Sequence, residues 1–392
     1  MKRSTFLITA VPGATQFAAL PAGAGGPRAP SVELISAYGS PSSFERAVVR
    51  RPPGVPSPAL TPLAQQLGVI TPSGLMFVRN HAGMPELDPR RHELLVHGLV
   101  TKPLAFTLAD IMRFPSVERM HFLECAGNSA PGWQQLGEGV QYSHGLLSGC
   151  LWIGIPLRLV LDEAGIKPEA RWLVAEGADG AAFDRSIPLA KALDDALLVY
   201  GQNGEMLRPE QGYPLRLILP GFEGSTNIKW LRRIKLVAGP VYSREETAQY
   251  SQLQPDGKVR LFDFVMEAKS VITSPSPAQR LTEPGFYEGR GFAWSGRGRI
   301  ARVDISTDGG TTWSAATVDE MNFTKSLTRF TFPLRWDGSP VTLASRATDE
   351  TGYVQPTLDQ LVAARGSGLR YHVNAIARWR IGRDGAVSEA DA

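Results

Sequence analysis

Cysteine is nearly absent: a chain of 392 residues holds two, Cys125 and Cys150. Two thiols in so long a chain make no disulfide framework. There is no CxxC or CxxCH string, which argues against a zinc ribbon and against a covalently attached haem. Six histidines are scattered at His81, His92, His97, His121, His144 and His372, with no HExxH-type pair among them. No GxGxxG, Walker or GxSxG string appears; Gly127-Asn-Ser129 and Gly221-Phe-Glu-Gly-Ser225 contain glycine but match no phosphate loop. No apolar run reaches the roughly 18 residues that a membrane-spanning helix needs. A net charge of +3, without any Lys/Arg-rich run, excludes a nucleic-acid footprint.

What is present is ordinary globular chemistry: 43% apolar and 20% charged residues, with 40 Gly and 30 Pro that predict many turns and strands. Residues 1–30 read as an export signal, with Lys2 and Arg3 before an apolar stretch from Phe6 to Leu20 and the small residues after Pro21. Export would place the protein in the periplasm. Residues 31–75 are rich in Pro and Ser and read as extended surface chain. From 76 to 250, strands and short helices alternate irregularly. Strands are expected at 75–79, 92–100, 171–179, 196–202, 214–220 and 227–238, and helices at 107–112, before Gly165 and near 188–194. That mixture predicts an α+β domain. From 255 to 380 the pattern is short strands and turns, as at 285–295, 299–310, 327–336 and 341–352, which predicts a β-sandwich. The last dozen residues are polar and are expected to fray.

One stretch stands out, Met120-His-Phe-Leu-Glu-Cys-Ala-Gly-Asn-Ser-Ala-Pro-Gly-Trp133. A strand ends abruptly and presents the thiol of Cys125 at the mouth of a loop of small residues, which lets a bulky group approach the sulfur. Packing alone is the commoner use of a lone cysteine, and Cys150 keeps that reading. Other loops beside strand ends carry cations: Arg79-Asn80-His81, Arg216, and Asn227-Ile228-Lys229. Guanidinium forks and an ammonium suit phosphate or sulfur oxyanions, and a soft thiolate suits a redox metal rather than calcium or magnesium. In the second domain, Ser306-Thr-Asp-Gly-Gly-Thr-Thr-Trp313 matches the Asp-box turn of sialidase propellers. A single copy makes no propeller, so it is expected to close a hairpin.

Together these strings identify a resemblance. Phe77-Val-Arg-Asn-His81, Glu124-Cys-Ala-Gly-Asn128, Gly212-Tyr-Pro-Leu-Arg216, Asn227-Ile-Lys-Trp-Leu231, Ala293-Trp-Ser-Gly296, Arg302-Val-Asp-Ile-Ser306 and Ala347-Thr-Asp349 occur in the order of the sulfite oxidase family of molybdopterin enzymes. The strings His121 to Ser129 and Pro209 to Leu217 are most similar to that family's bacterial sulfane dehydrogenase (sulfite dehydrogenase) branch. The resemblance implies a mixed α+β molybdopterin-binding domain followed by an all-β immunoglobulin-like sandwich that dimerises. It implies Cys125 as the molybdenum ligand. Phe77, Val78, Arg79, Asn80, His81, Asp179, Gln211, Arg216, Asn227, Ile228 and Lys229 are implied as molybdopterin contacts. Arg79, Tyr250 and Arg299 are implied at the substrate, Tyr250 by its spacing from Trp230. It also implies oxidation of reduced sulfur, a separate c-type cytochrome as electron acceptor, a sulfur-carrier protein as a further partner, and a homodimer or heterotetramer. The chain departs from animal sulfite oxidases at Ser129 and Ala130, where those have arginines, and at Gln211 and Asn227, where they have histidines. Free sulfite as substrate, reduction of an S- or N-oxide, and a non-enzymatic β-sandwich binding protein stay as rival readings.

Overall fold

The computed structural model describes residues 58–131 and 137–390. The expected export signal, the first part of the Pro-rich segment and the Gly132-Trp133 end of the cysteine stretch lie outside them.

The chain first lays down a hairpin of β1 (Glu93–Gly98) and β2 (Leu104–Thr107). Helix α1 (Leu108–Ile111) starts there because Thr107 and Asp110 form a reciprocal capping box. Next come β3 (Val117–Glu124), α2 (Val140–His144), β4 (Leu147–Pro156) and α3 (Leu157–Ala164), which Gly165 ends with φ of 71°. Then follow β5 (Trp172–Gly177), β6 (Asp184–Pro188), α4 (Leu189–Asp194), β7 (Leu197–Gln202), β8 (Glu205–Met206), β9 (Arg216–Ile218) and β10 (Leu231–Val237). Two sheets result, β2-β1-β10-β5-β6 and β3-β4-β7-β8 with β9 on β7; β1 and β10 run parallel and their neighbours antiparallel. Helices are few and short beside the sheets, and no helix among the described residues is long and apolar enough to cross a membrane.

After the short hairpin of β11 (Gln252–Leu253) and β12 (Val259–Arg260), two further sheets form. They are built from β13 (Lys269–Ser274), β14 (Gly285–Trp294), β15 (Ile300–Ser306), β16 (Ser314–Ala315), β17 (Thr317–Val318), β18 (Thr328–Trp336), β19 (Val341–Asp349), β20 (Arg378–Ile381) and β21 (Val387–Glu389), with α5 (Leu358–Arg365) between β19 and β20. The orders are β13-β14-β18-β17 and β16-β15-β19-β20-β21, and both sheets share one core around Trp294, Val303, Phe330, Leu343 and Trp379. The Asp-box turn closes the β15–β16 hairpin: Asp308 accepts from the backbone of Thr311 and Thr312, and Gly309 and Gly310 take positive φ.

Strand alternation sets where the two domains meet. On β3, Phe122 packs into the sandwich core while its neighbour Leu123 packs beneath the first domain's cleft with Phe77, Cys150 and Trp152. One strand therefore belongs to two cores, and it is the strand that ends at Cys125.

Three expectations fail here. Residues 75–79 form no strand: Ser73–Leu75 is a 3-10 turn and only Val78 pairs, with Ala59, because Arg79 onward is drawn into the cleft. The described part of the segment expected at the surface is instead buried at Leu60, Thr61 and Leu63, whose side chains fill the cores it crosses. The described C-terminal residues, up to 390, do not fray; β20 and β21 pair across Trp379, Arg380 and Ile381, and Val387 is buried.

Candidate active site

Several chain segments converge on one cleft. The end of β3 brings Cys125. The run before β1 brings Phe77, Arg79, Asn80 and His81. The β5–β6 turn brings Asp179 and Phe183, β9 brings Arg216, and the segments flanking it bring Gln211, Asn227, Ile228 and Lys229. A π turn, Glu245–Gln249, delivers Tyr250 to the same cleft.

Cys125 keeps part of its surface open, and burial pushes its thiol up to about 11. As a free group it would stay protonated at neutral pH; a bound metal would displace that proton. The strap beyond it is tight, with Asn128 N donating to Cys125 O at 2.9 Å and Ala130 N to Gly127 O at 3.2 Å. Gly224 lies against its base, where a Cβ would come within 2.9 Å of Glu124 O and 3.3 Å of Cys125 Cα. Gly224 therefore lets the 221–225 string pack against the base of the Cys125 strap, while Gly221 is pressed against Gly296 of the second domain.

The cleft floor is cationic. Arg216 is 3% exposed and donates to the carbonyl and the side-chain oxygen of Gln211, at 3.0 Å each, with its guanidinium over Trp152. Its Nε is buried with no hydrogen-bond partner among the described residues, and burial lowers its pKa to about 10. Gln211 in turn donates to Phe77 O at 2.9 Å. Lys229 donates to Glu210 O at 3.0 Å and to Asn80 Oδ1; desolvation, then Arg216, holds its pKa well below the usual lysine range. Asn227 accepts from Leu219 N at 2.7 Å and donates to Glu223 O, so its amide shapes the loop.

Above the floor, Tyr250 Oη lies 3.0 Å from His81 Nε2, and His81 stacks on Phe183 at 5.0 Å. His81 opens to solvent at its outer edge; burial of the rest of the ring, then Arg79 and Lys229, push its pKa down, so the imidazole is neutral at physiological pH. Burial raises the Tyr250 pKa well above its usual value, so the phenol keeps its proton. Under its ring lies the Arg185 guanidinium at 4.7 Å.

Two expected residues lie elsewhere. Val78 pairs with Ala59 and does not line the cleft. Arg299 is exposed at the start of β15, where its backbone is tied to Glu350, and it is not among the cleft residues. The second domain instead reaches the outer cleft with Arg370 and Tyr371, which share it with Arg79, His81, Cys125 and Tyr250. No motif marked them, because a coil after α5 carries them there. Ser129 does not face the cleft either: Lys269 holds its hydroxyl at 2.9 Å.

A cluster of this kind fits a phosphorylated metal cofactor: buried cations hydrogen-bonded to neutral oxygens, a guanidinium nitrogen without a hydrogen bond among the described residues and one thiol open to the same space. Comparison with known proteins agrees. Residues 81–244 match the oxidoreductase molybdopterin binding domain, and 261–378 the Mo-co oxidoreductase dimerisation domain. The chain is 36% identical over 271 residues to mitochondrial sulfite oxidase of Homo sapiens, covering 64% of this chain and 49% of that protein. Sulfite oxidase of Gallus gallus is 32% identical over 314 residues, covering 73% and 68%. The chain thus spans about half the length of the mammalian relatives it matches. The crystal structure of the sulfane dehydrogenase SoxCD from Paracoccus pantotrophus aligns with a TM-score of 0.87 and 46% identity, over 91% of this chain and 94% of that one.

Proposed function

This chain belongs to the sulfite oxidase family of molybdopterin oxidoreductases, and from that premise we propose that it oxidises reduced sulfur, as sulfite or as sulfane sulfur on a carrier protein, and passes the electrons to a separate c-type cytochrome. The observation that carries this reading is the convergence of Cys125, Arg79, Arg216, Lys229 and Tyr250 on one cleft.

When bound, the molybdenum–pterin group supplies two-electron oxygen-atom transfer. Cys125, as thiolate, would hold the metal. Arg216, Lys229 and Gln211 would hold the pterin and its phosphate, since an anion there meets cations whose hydrogen bonds go to neutral oxygens. Phe77, Asn80, Asp179, Asn227 and Ile228 line the remainder of that surface. Arg79 reaches the cleft where an incoming sulfur oxyanion needs its charge balanced. The hydroxyl of Tyr250 keeps its proton and can turn from His81 to donate to that oxyanion, while neutral His81 accepts the bond when the cleft is empty of substrate. Arg370, at the outer cleft, adds a further positive charge on the approach path.

The likeness to SoxCD favours sulfane sulfur on a carrier over free sulfite, with a SoxD-like cytochrome as partner in a heterotetramer built on the sandwich domain; a plain homodimer is the other assembly. We place the enzyme in the periplasm and take the sandwich as immunoglobulin-like. The test is turnover by the loaded enzyme with a c-type cytochrome as acceptor. Faster turnover of sulfane sulfur on a carrier protein than of free sulfite supports the reading; turnover of sulfite alone makes it a free-sulfite dehydrogenase, and turnover of neither overturns it.

A further inference from the structure

The residue before the cysteine is a charge in an unexpected place. Glu124 is 0% exposed. Its Oε1 accepts from Lys269 Nζ at 3.0 Å and from Asn128 Nδ2 at 2.8 Å, and its Oε2 accepts from Trp294 Nε1 at 2.6 Å. Lys269, on β13 and 2% exposed, also donates to Ser129 Oγ at 2.9 Å and lies over the Trp294 ring at 5.6 Å. So a carboxylate at the start of the Cys125 strap and a hydroxyl near its end are held by one ammonium from the second domain. The strap's left-handed residue, Ser129 with φ of 64°, is the one that Lys269 grips. A second bond from the sandwich domain, His372 N to Ala126 O at 2.8 Å, closes over the middle.

An apolar interface would bury these positions without charge, and replacing a buried ion pair by apolar groups is often neutral or stabilising. Fold stability alone therefore gives no reason for a lysine here. A group that must satisfy Glu124 and Ser129 together does. We propose that Lys269 is a positioning residue: through Glu124 and Ser129 it sets the conformation of the Cys125 strap, so that the second domain, beyond any part in assembly, fixes how the thiolate is presented to the metal. The proposal rests on Cys125 being the metal ligand, but its first test does not.

That test compares Lys269→Met with Lys325→Met in the full chain. Lys325 makes another ion pair between the domains, with Asp195 at 2.6 Å; its carbonyl accepts from Phe122 N on β3, a backbone bond that the substitution keeps, and its ammonium bonds no strap residue. Amide hydrogen exchange is read on the cofactor-free chain across Cys125–Ala130. Lys269→Met is expected to speed strap exchange roughly tenfold while Lys325→Met leaves it at the wild-type rate. Equal acceleration by both, or none by Lys269→Met in a folded chain, overturns the proposal. If Lys269→Met does not fold, the Glu124→Gln/Lys269→Met pair removes both charges; strap exchange above wild type then supports the proposal and a wild-type rate overturns it. In the cofactor-loaded enzyme, the paramagnetic resonance signal of the partly reduced metal reports thiolate geometry. It is expected to shift in Lys269→Met and not in Lys325→Met, and an unshifted signal in Lys269→Met overturns the role.

Discussion

The cleft floor and the seam between the domains both bury charge, and they treat it in opposite ways. In the seam, charges meet their opposites: Glu124 meets Lys269, and Glu223 meets Arg185 at 2.8 Å and His372 at 2.9 Å. On the floor, Arg216 and Lys229 are given carbonyl and amide oxygens instead. Seam charges meet carboxylates within the chain and hold it in shape, although Arg185 Nε and His372 Nδ1 keep no hydrogen bond among the described residues. The floor leaves Arg216 Nε without a hydrogen bond among the described residues and lines a cleft where an anion can add one. The same residue types, a few residues apart in space, divide into structure and binding by what they lack.

The largest expected effect falls on the thiol that lies between the two regions. Cys125→Ser should leave the fold intact and lower turnover by roughly a hundredfold or more, read by initial rates on chains of equal cofactor content. Next comes the comparison itself. Lys269→Met leaves Glu124 buried without its cation and should cost about 3–5 kcal/mol in the unfolding free energy of the cofactor-free chain. Lys229→Met removes a cation whose burial the more distant Glu210 and Asp179 carboxylates offset only in part, so it should change that free energy by no more than about 1 kcal/mol while sharply lowering the cofactor retained on gel filtration. If Lys229→Met proves the more destabilising of the two, the division between floor and seam fails.

A smaller effect follows from the second seam cluster. The pKa of His372 is raised by the Glu223 carboxylate, against the opposing effect of burial, and that of Glu223 is lowered chiefly by Arg185 and His372. A raised histidine stabilises the fold fully below its unfolded value near 6.5 and loses that contribution as pH climbs through its folded value; a lowered glutamate stabilises above about 4.5 and loses its share as pH falls. Chemical denaturation from pH 6 to 9 should therefore show wild type losing on the order of 1 kcal/mol relative to His372→Gln. The smallest effects lie at the cleft mouth. Arg370→Ala should raise KM for an anionic substrate several-fold at low salt, by about 1 kcal/mol or less, and salt should erase the difference. Arg299→Ala, exposed on β15, should change kcat/KM by less than about twofold.

Much of the site was legible because several of its residues sit beside strands, Cys125 after β3, Arg216 at the start of β9 and Lys229 before β10. Cys125 follows the apolar run of β3, and Arg79, Arg216 and Lys229 sit in runs whose apolar neighbours mark the strands and cores around them. The family resemblance then joined strings that spacing alone could not. What stayed hidden was carried by tertiary contact. Arg370 and Tyr371 arrive on coil after α5, although the Thr357 and Gln360 capping box does mark that helix. β13 was missed because its polar residues Lys269, Ser270 and Thr273 are all buried, so no alternation shows. Asn128 and Ser129 read as room for a ligand, whereas their side chains serve the strap and the seam. A sequence shows which side chains are polar; it does not show which of them will find a partner inside the chain.

The central claim is that the floor cations and Cys125 together hold a molybdenum cofactor. Metal analysis of the purified full chain and of Cys125→Ser, expressed where the cofactor is made, tests it most directly. The account predicts about one molybdenum per wild-type chain and markedly less in the variant. A wild-type chain without molybdenum, or a serine variant that holds the metal as firmly as wild type and turns over at the same rate, would contradict it.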